Sequence, residues 1–310
     1  MSDVLIVGSL ALDSVTTPFG DREESWGGAA LYSAAAASLL SPVHLVGVIG
    51  EDFPAAALEV LAARGVSLDG VQSVPGGKSF RWAGEYTYAM DAATTLDTQL
   101  NVFADFNPHV PTSARGAEFV FLANITPVLQ LQVLDQMTSP RLVLCDTMNY
   151  WIENAREDLL RVLARVDGAA MNDAEVRQLT GTPNLCRAAA EILSLGPRFL
   201  LLKKGEYGAS LITRQGHFAL PSYPLPNVLD PTGAGDSFAG GFIGFLAWVG
   251  STEEATLRQA LAIGTVTASA CVEAFSWDAL LQLTDQDLYS RYEELREMVR
   301  LEPCPLANSG

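Results

Sequence analysis

Residues 230–241 read DPTGAGDSFAGG and run straight into FIGFLAWV at 242–249. Gly233, Ala234 and Gly235 are small residues just ahead of an apolar helix. There, N–H groups without intrahelical partners and the positive end of the helix dipole converge. Such a turn holds an anion close to the main chain. Asp236 falls in the first helical turn, where the dipole favours its carboxylate and directs it at the same point. A carboxylate beside a phosphate cradle suits a hydroxyl that must lose a proton while attacking a phosphoryl group. A plain N-terminal cap after a tight turn is the alternative, but a cap requires neither three small residues nor the flanking Asp-Pro-Thr.

Upstream of this segment, apolar runs alternate with helical patterns, the mark of an α/β protein with a doubly wound, mostly parallel sheet. Val4–Val7 reads as the first strand, 29–40 as an alanine-rich helix, 43–49 as a buried strand and 54–64 as a helix closed by Gly65. The alternation then breaks. SFRWAGEYTY at 79–88 alternates polar and apolar residues as a half-exposed strand does, and 98–106 reads as a further strand. With 14–26 these segments suggest a small antiparallel β flap, a lid added at about 14–26 and 78–107 to one domain spanning 1–310. Strand patterns resume at 119–122, 142–145, 168–171 and 199–203, a hairpin is expected at 211–220, and the chain beyond Gly233 reads as mainly helical.

The 310 residues, 49% of them hydrophobic, suffice for a sizeable core. A formal charge of −17 argues against nucleic acid or an anionic membrane as partner, since both are bound through clustered Lys and Arg. No apolar stretch approaches the roughly 18 residues of a membrane span, and the N-terminus carries no secretory pattern. Cys145, Cys186, Cys271 and Cys304 show no paired or CxxC spacing, and three of them sit in contexts that favour buried thiols. A cytoplasmic location is expected. GGKS at 76–79 lacks the first glycine of a phosphate loop, because Gln72 stands there. His44, His109 and His217 are scattered singly, without metal-ligand spacing.

DPTGAGD closely resembles the signature of the ribokinase-like, or PfkB-type, carbohydrate and nucleoside kinases. The resemblance extends to an Asp after the first strand, Asp13; to a Gly-Gly pair opening the alanine-rich helix, Gly27 and Gly28; to Asn172-x-x-Glu175; and to Lys204-Gly205-Glu206-Tyr207-Gly208. It implies a ribokinase-like fold, transfer from ATP with Mg²⁺, and Asp236 as general base with the 233–235 amides as anion hole. Asp13 would accept hydrogen bonds from a substrate diol, and Gly27 and Gly28 would admit the substrate backbone-close. Asn172 and Glu175 would orient phosphates and Mg²⁺ through water, although NDAE is equally an ordinary capping box. Lys204, Gly205, Glu206 and Gly208 would pass under the nucleotide, although a hairpin turn gives the same spacing. Gly264 and Ala268 are further nucleotide contacts on this basis. Asp230 and Thr232 would help hold a monovalent cation such as K⁺.

Three positions depart from the family pattern. Tyr32 stands where an Asn is common, which bears on substrate choice. Asp146 and Asn149 take the place of Asp-x-Asn-x-Arg, with Trp151 near the Arg position, and 271–276 replaces the usual Gly-containing turn by the adenine pocket. The acceptor is expected to be the primary hydroxyl of a ribose-like sugar or of a nucleoside. The aromatics Trp82, Tyr86, Tyr88, Phe103 and Phe106 would stack on a nucleobase or bury against the domain or a second subunit. A homodimer through the flaps would account for them. Two rival classes are a non-catalytic nucleotide or sugar sensor on this fold and a dinucleotide-binding oxidoreductase; against the latter, GSLALD at 8–13 is not GxGxxG.

Overall fold

The computed structural model describes residues 2–302, so Cys304 lies outside the described residues. Among the described residues thirteen strands form two sheets. In chain order they are β1 (Val4–Val7), β2 (Ala11–Thr17), β3 (Gly20–Gly27), β4 (Val43–Gly50), β5 (Val66–Val74), β6 (Phe80–Tyr86), β7 (Ala93–Gln99), β8 (Phe119–Leu122), β9 (Leu142–Asp146), β10 (Gly168–Asn172), β11 (Phe199–Lys203), β12 (Ala209–Thr213) and β13 (His217–Leu220). The larger sheet has the order β13-β12-β11-β10-β9-β8-β1-β4-β5. It is parallel from β5 to β11, and β12 and β13 close one edge antiparallel. The chain begins in the middle at β1, builds toward β5, then crosses to β8 and builds the other way. The carboxyl ends of strands around such a switch point form a crevice where ligands bind.

Alternate residues of each central strand enter different cores, as a period of two requires. Val4 and Ile6, Phe119 and Phe121, and Phe199 and Leu201 pack on one side. Leu5 and Val7, Val120 and Leu122, and Leu200 and Leu202 pack on the other. On the first side lies helix Ala29–Ala37, whose residues are all buried. It can be enclosed all round because its side chains are small and helix Ala234–Val249 meets it with glycines. A Cβ on Gly240 would sit 2.3 Å from Ser33 O, and one on Gly244 would sit 2.9 Å from Ala37 Cα. The AGG and FIG pattern is therefore a close helix contact, and it locks the 233–235 turn onto the N-terminal half of the chain. Among the described residues no helix is long and apolar enough to cross a membrane.

The smaller sheet runs β3-β2-β6-β7. Its two hairpin pairings are antiparallel, while β2 and β6 run parallel. The expected strand at 98–106 is not formed. The strand is Ala93–Gln99, and Asn101–Asp105 is a short 3₁₀ helix. Phe103 stacks between Phe80 and Phe106 at ring separations of 5.4 and 5.7 Å, and the buried Phe106 belongs to the main core. Aromatic packing, stronger here than strand propensity, ties this segment to the larger sheet. Strand β5 was not anticipated, because only part of it is buried and its pattern is mixed. Of the cysteines, Cys145 and Cys271 are buried as expected, whereas Cys186 is exposed on the outer face of helix Leu185–Leu195.

Candidate active site

The chain passes between the two sheets four times, and the first two crossings carry expected substrate residues. Asp13 lies on β2 just after the first crossing, and Gly27 and Gly28 form the second. The Asp13 carboxylate packs directly on the Cα of Gly27: a Cβ there would lie 1.9 Å from Oδ2. The Gly28 N–H donates to the same oxygen at 3.3 Å. Gly28 itself has φ +97°, and a side chain would strike Ser9 O. Burial pushes the Asp13 carboxyl up to about 7; the Gly28 hydrogen bond opposes this, and the charges of Asp230 and Asp236 reinforce it.

Opposite stands the 233–235 turn. Gly233 caps helix Ala234–Val249 in the left-handed region, φ +77°, with no side-chain cap. The Ala234 N–H donates to Pro231 O at 3.2 Å, so this amide, expected in the anion hole, is used within the turn. The N–H groups of Gly233, Gly235 and Asp236 find no backbone acceptor among the described residues and are the donors left for an anion. Asp236 sits partly accessible in the first helical turn. Burial pushes its carboxyl up to about 7, Asp146 pushes it further, and Lys203 pulls it down. A carboxyl poised near neutrality is suited to taking a proton.

The carboxyl ends of β9, β10 and β11 supply the third side. Asp146 and Lys203 end β9 and β11, and the Lys203 Nζ donates to Asp146 Oδ2 at 2.7 Å across β10. The other Asp146 oxygen accepts the Thr147 N–H at 2.7 Å. A Cβ on Gly235 would lie 3.2 Å from Lys203 Nζ, so the ammonium borders the turn itself. Burial alone would lower the Lys203 pKa, but the charges of Asp146 and Glu175 outweigh it and raise it. Lys203 was not singled out from the sequence, and Asp146 was noted there only as a departure from the family pattern, with no role assigned. The available signal was a charged last residue on an otherwise apolar strand, in LVLCD and FLLLK.

Asn172 and Glu175 form a full capping box, with Glu175 N–H to Asn172 Oδ1 at 2.8 Å and Asn172 N–H to Glu175 Oε2 at 2.7 Å. Glu175 also faces the cluster. Burial pushes its carboxyl up to about 7, against the pull of Lys203 and with the push of Asp146. The cap and the site are thus the same residues. Lys204 to Gly208 is a turn between β11 and β12, closed by Lys204 N–H to Gly208 O at 2.9 Å; Gly205 and Glu206 are exposed.

Other expected site residues are placed differently. Tyr32 is 1% exposed and its ring lies against Gly233, where a Cβ would come within 2.4 Å of it. It supports the turn instead of lining the cleft, and among the described residues its hydroxyl has no hydrogen-bond partner. Gly264 is a helix-packing residue, since a side chain would strike Phe238 O at 2.6 Å; Ala268, one turn later, is partly accessible. The two oxygens of Asp230 accept the N–H groups of Thr232 at 2.9 Å and Ser276 at 3.1 Å, and Thr232 O accepts the Cys271 thiol at 3.4 Å. Each Asp230 oxygen accepts one hydrogen bond and keeps a further lone pair, so the carboxylate retains acceptor capacity of the kind a monovalent cation would need. Trp151 donates its indole N–H to Asn124 Oδ1 at 2.9 Å. Among the flap aromatics, Tyr86 reaches the turn, its hydroxyl accepting from Thr232 Oγ1 at 3.3 Å, while Tyr88 is 82% exposed.

Comparison with known proteins gives the family. The family model for pfkB family carbohydrate kinases matches residues 4–281. A cytidine kinase of Thermococcus kodakarensis is 31% identical over 250 residues, covering 78% of this chain and 88% of that one. A nucleoside kinase of Burkholderia thailandensis, solved with inosine, shares the fold at TM-score 0.79 and 21% identity, covering 94% of this chain and 97% of that one. An E. coli protein described as a ribokinase II, solved with ATP and Mg²⁺, does so at TM-score 0.76 and 19% identity, covering 95% and 100%. The chain therefore belongs to the pfkB family of carbohydrate kinases and is an ATP-dependent sugar or nucleoside kinase.

Proposed function

We propose that this kinase moves the γ-phosphoryl group of ATP to the primary hydroxyl of a nucleoside, with Asp236 as general base. The observation that carries this reading is Asp236 itself: a carboxyl raised to about 7, in the first turn of a helix whose free amides border it. Asp13 offers acceptor oxygens to a ribose diol, and Gly27 and Gly28 let the sugar approach the backbone. Asp236 takes the proton of the hydroxymethyl group as its oxygen attacks phosphorus. The N–H groups of Gly233 and Gly235 stabilise the charge that develops on the transferring group. The 204–208 turn underlies the nucleotide.

Among the described residues no three His, Cys, Asp or Glu side chains converge as a metal site. Mg²⁺, which neutralises phosphate charge when bound, would enter with the nucleotide and keep its waters, which Asn172 and Glu175 would orient. The smaller sheet serves as the lid of a single kinase domain and excludes water during transfer. Similarity to a cytidine kinase over most of both chains favours a nucleoside over a free sugar.

An ADP-release assay over nucleosides and ribose-like sugars, with ³¹P NMR of the product, tests the proposal. The expected product is a nucleoside 5′-phosphomonoester. Faster turnover of a free sugar would move the substrate assignment to the sugar, and binding without ADP release would make the protein a sensor. If Asp230 and Thr232 help hold a monovalent cation, the rate should fall when K⁺ is replaced by tetramethylammonium, and an unchanged rate would discard that role.

A further inference from the structure

We infer that Lys203 is the catalytic cation of this transfer: Asp146 presents its ammonium, which grips the transferring phosphoryl group beside the 233–235 turn. The inference rests on the phosphotransfer reading above. Lys203 Nζ touches Asp146 at 2.7 Å and borders Gly235, one of the residues whose amide has no acceptor. The two side chains are not equally enclosed. Asp146 is 4% accessible and fully engaged by Lys203 and Thr147, whereas 18% of the Lys203 side chain remains open to solvent. The ammonium has three protons, and Asp146 accounts for one of them.

Charge balance gives a second reason. Burial raises Asp13, Glu175 and Asp236, and neighbouring carboxylates add to it: Asp230 and Asp236 on Asp13, Asp146 and Asp236 on Glu175, and Asp146 on Asp236. A structural ion pair would need one carboxylate for one ammonium. An acidic pocket that must accept a polyphosphate needs a cation at the point where the phosphate lands. The chain has Lys78, Lys203 and Lys204 as its lysines and uses arginine for its other fixed cations. At Lys203 it keeps a compact point charge that can turn from one acceptor to another, in place of a planar guanidinium fork.

The step balances without any further reactant. The hydroxyl oxygen forms the new O–P bond, and the bond from phosphorus to the bridging oxygen breaks with its electron pair leaving on ADP. The hydroxyl proton ends on Asp236, and Lys203 keeps its protons, exchanging only hydrogen-bond partners. Lys203 is then a catalytic residue and Asp146 a positioning residue.

The test compares Lys203→Met, made together with Asp146→Asn so that no buried carboxylate is left unpaired, with Lys203→Arg and Asp146→Ala. Turnover is read beside dissociation constants for nucleoside, for ADP, and for ADP with aluminium fluoride and nucleoside as the transition-state mimic. The double variant is expected to fold and to bind nucleoside and ADP within about threefold of the unaltered protein, with kcat lowered about 10²- to 10³-fold and the extra affinity for the mimic lost. Lys203→Arg should recover part of kcat, and Asp146→Ala should lower kcat with KM little changed. A double variant that keeps kcat within about threefold, or that loses ADP and mimic affinity equally, would overturn the inference and leave the kinase reading standing. No ADP release by the unaltered protein would overturn both.

Discussion

Two flanks of the cleft meet at Asp236 and are built on opposite electrostatics. On the Asp13 side the neighbouring charges are the carboxylates Asp230 and Asp236, and the backbone is stripped to glycine so that the Asp13 carboxylate can lie on a bare Cα. On the Lys203 side an ammonium sits among Asp146, Glu175 and Asp236, next to free amides. The first flank has acceptors and suits neutral hydroxyls. The second has donors and positive charge and suits an anion. Asp13 and Asp236 are raised to about the same value, with burial as the chief cause in both. Asp236 has both flanks beside it, and on the proposed reading it moves the proton between what they hold.

Removing the group at the junction should have the largest effect. Asp236→Asn is expected to lower kcat by about 10²-fold or more while nucleoside affinity holds, as steady-state kinetics and calorimetry would show. The two glycines of the turn should then behave differently. At Gly233 the positive φ and the Tyr32 ring both exclude a side chain, so Gly233→Ala should cost about 3 kcal/mol in a denaturant titration. At Gly235 a Cβ meets nothing closer than the movable tip of Lys203. Gly235→Ala should therefore fold normally and lose only rate, and a large stability loss there would show the ammonium to be fixed in place. On the other flank, Asp13→Asn should raise KM for the nucleoside about tenfold with a smaller effect on kcat. If the loss fell on kcat instead, Asp13 would belong to the chemistry and the contrast between the flanks would fail.

How much of this was legible beforehand depended on the distance over which each feature is encoded. DPTGAGD carries its turn, its helix start and its acid in consecutive residues, so a local rule recovers them. The parallel strands are legible for the same reason: FVFL is wholly apolar, FLLLK is apolar up to its last residue, and both are short and bounded by turns. Lys203 and Asp146 are not, because their pairing exists only once β9 and β11 flank β10. Tyr32 and Gly264 were assigned by alignment with a motif, yet tertiary contacts decide both: the ring is held by Gly233 and the glycine by Phe238. The 98–106 segment has strand-like alternation but is captured by Phe80. The Asp230 carboxylate shows the same limit, since its second partner, the Ser276 N–H, lies 46 residues away.

The pH dependence of kcat/KM, which reports groups of the free enzyme, tests the role of Asp236 most directly. A base must be ionised to act, so a carboxyl raised to about 7 predicts activity that rises with pH through that value and levels off above it. Because Asp13 and Glu175 titrate nearby, the midpoint belongs to the group of carboxyls, and the assignment comes from comparison with Asp236→Asn. The expected result is an ascending limb in the unaltered protein and its disappearance, with a much lower rate, in the variant. The same limb in both proteins, at nearly the same rate, would contradict Asp236 as the base.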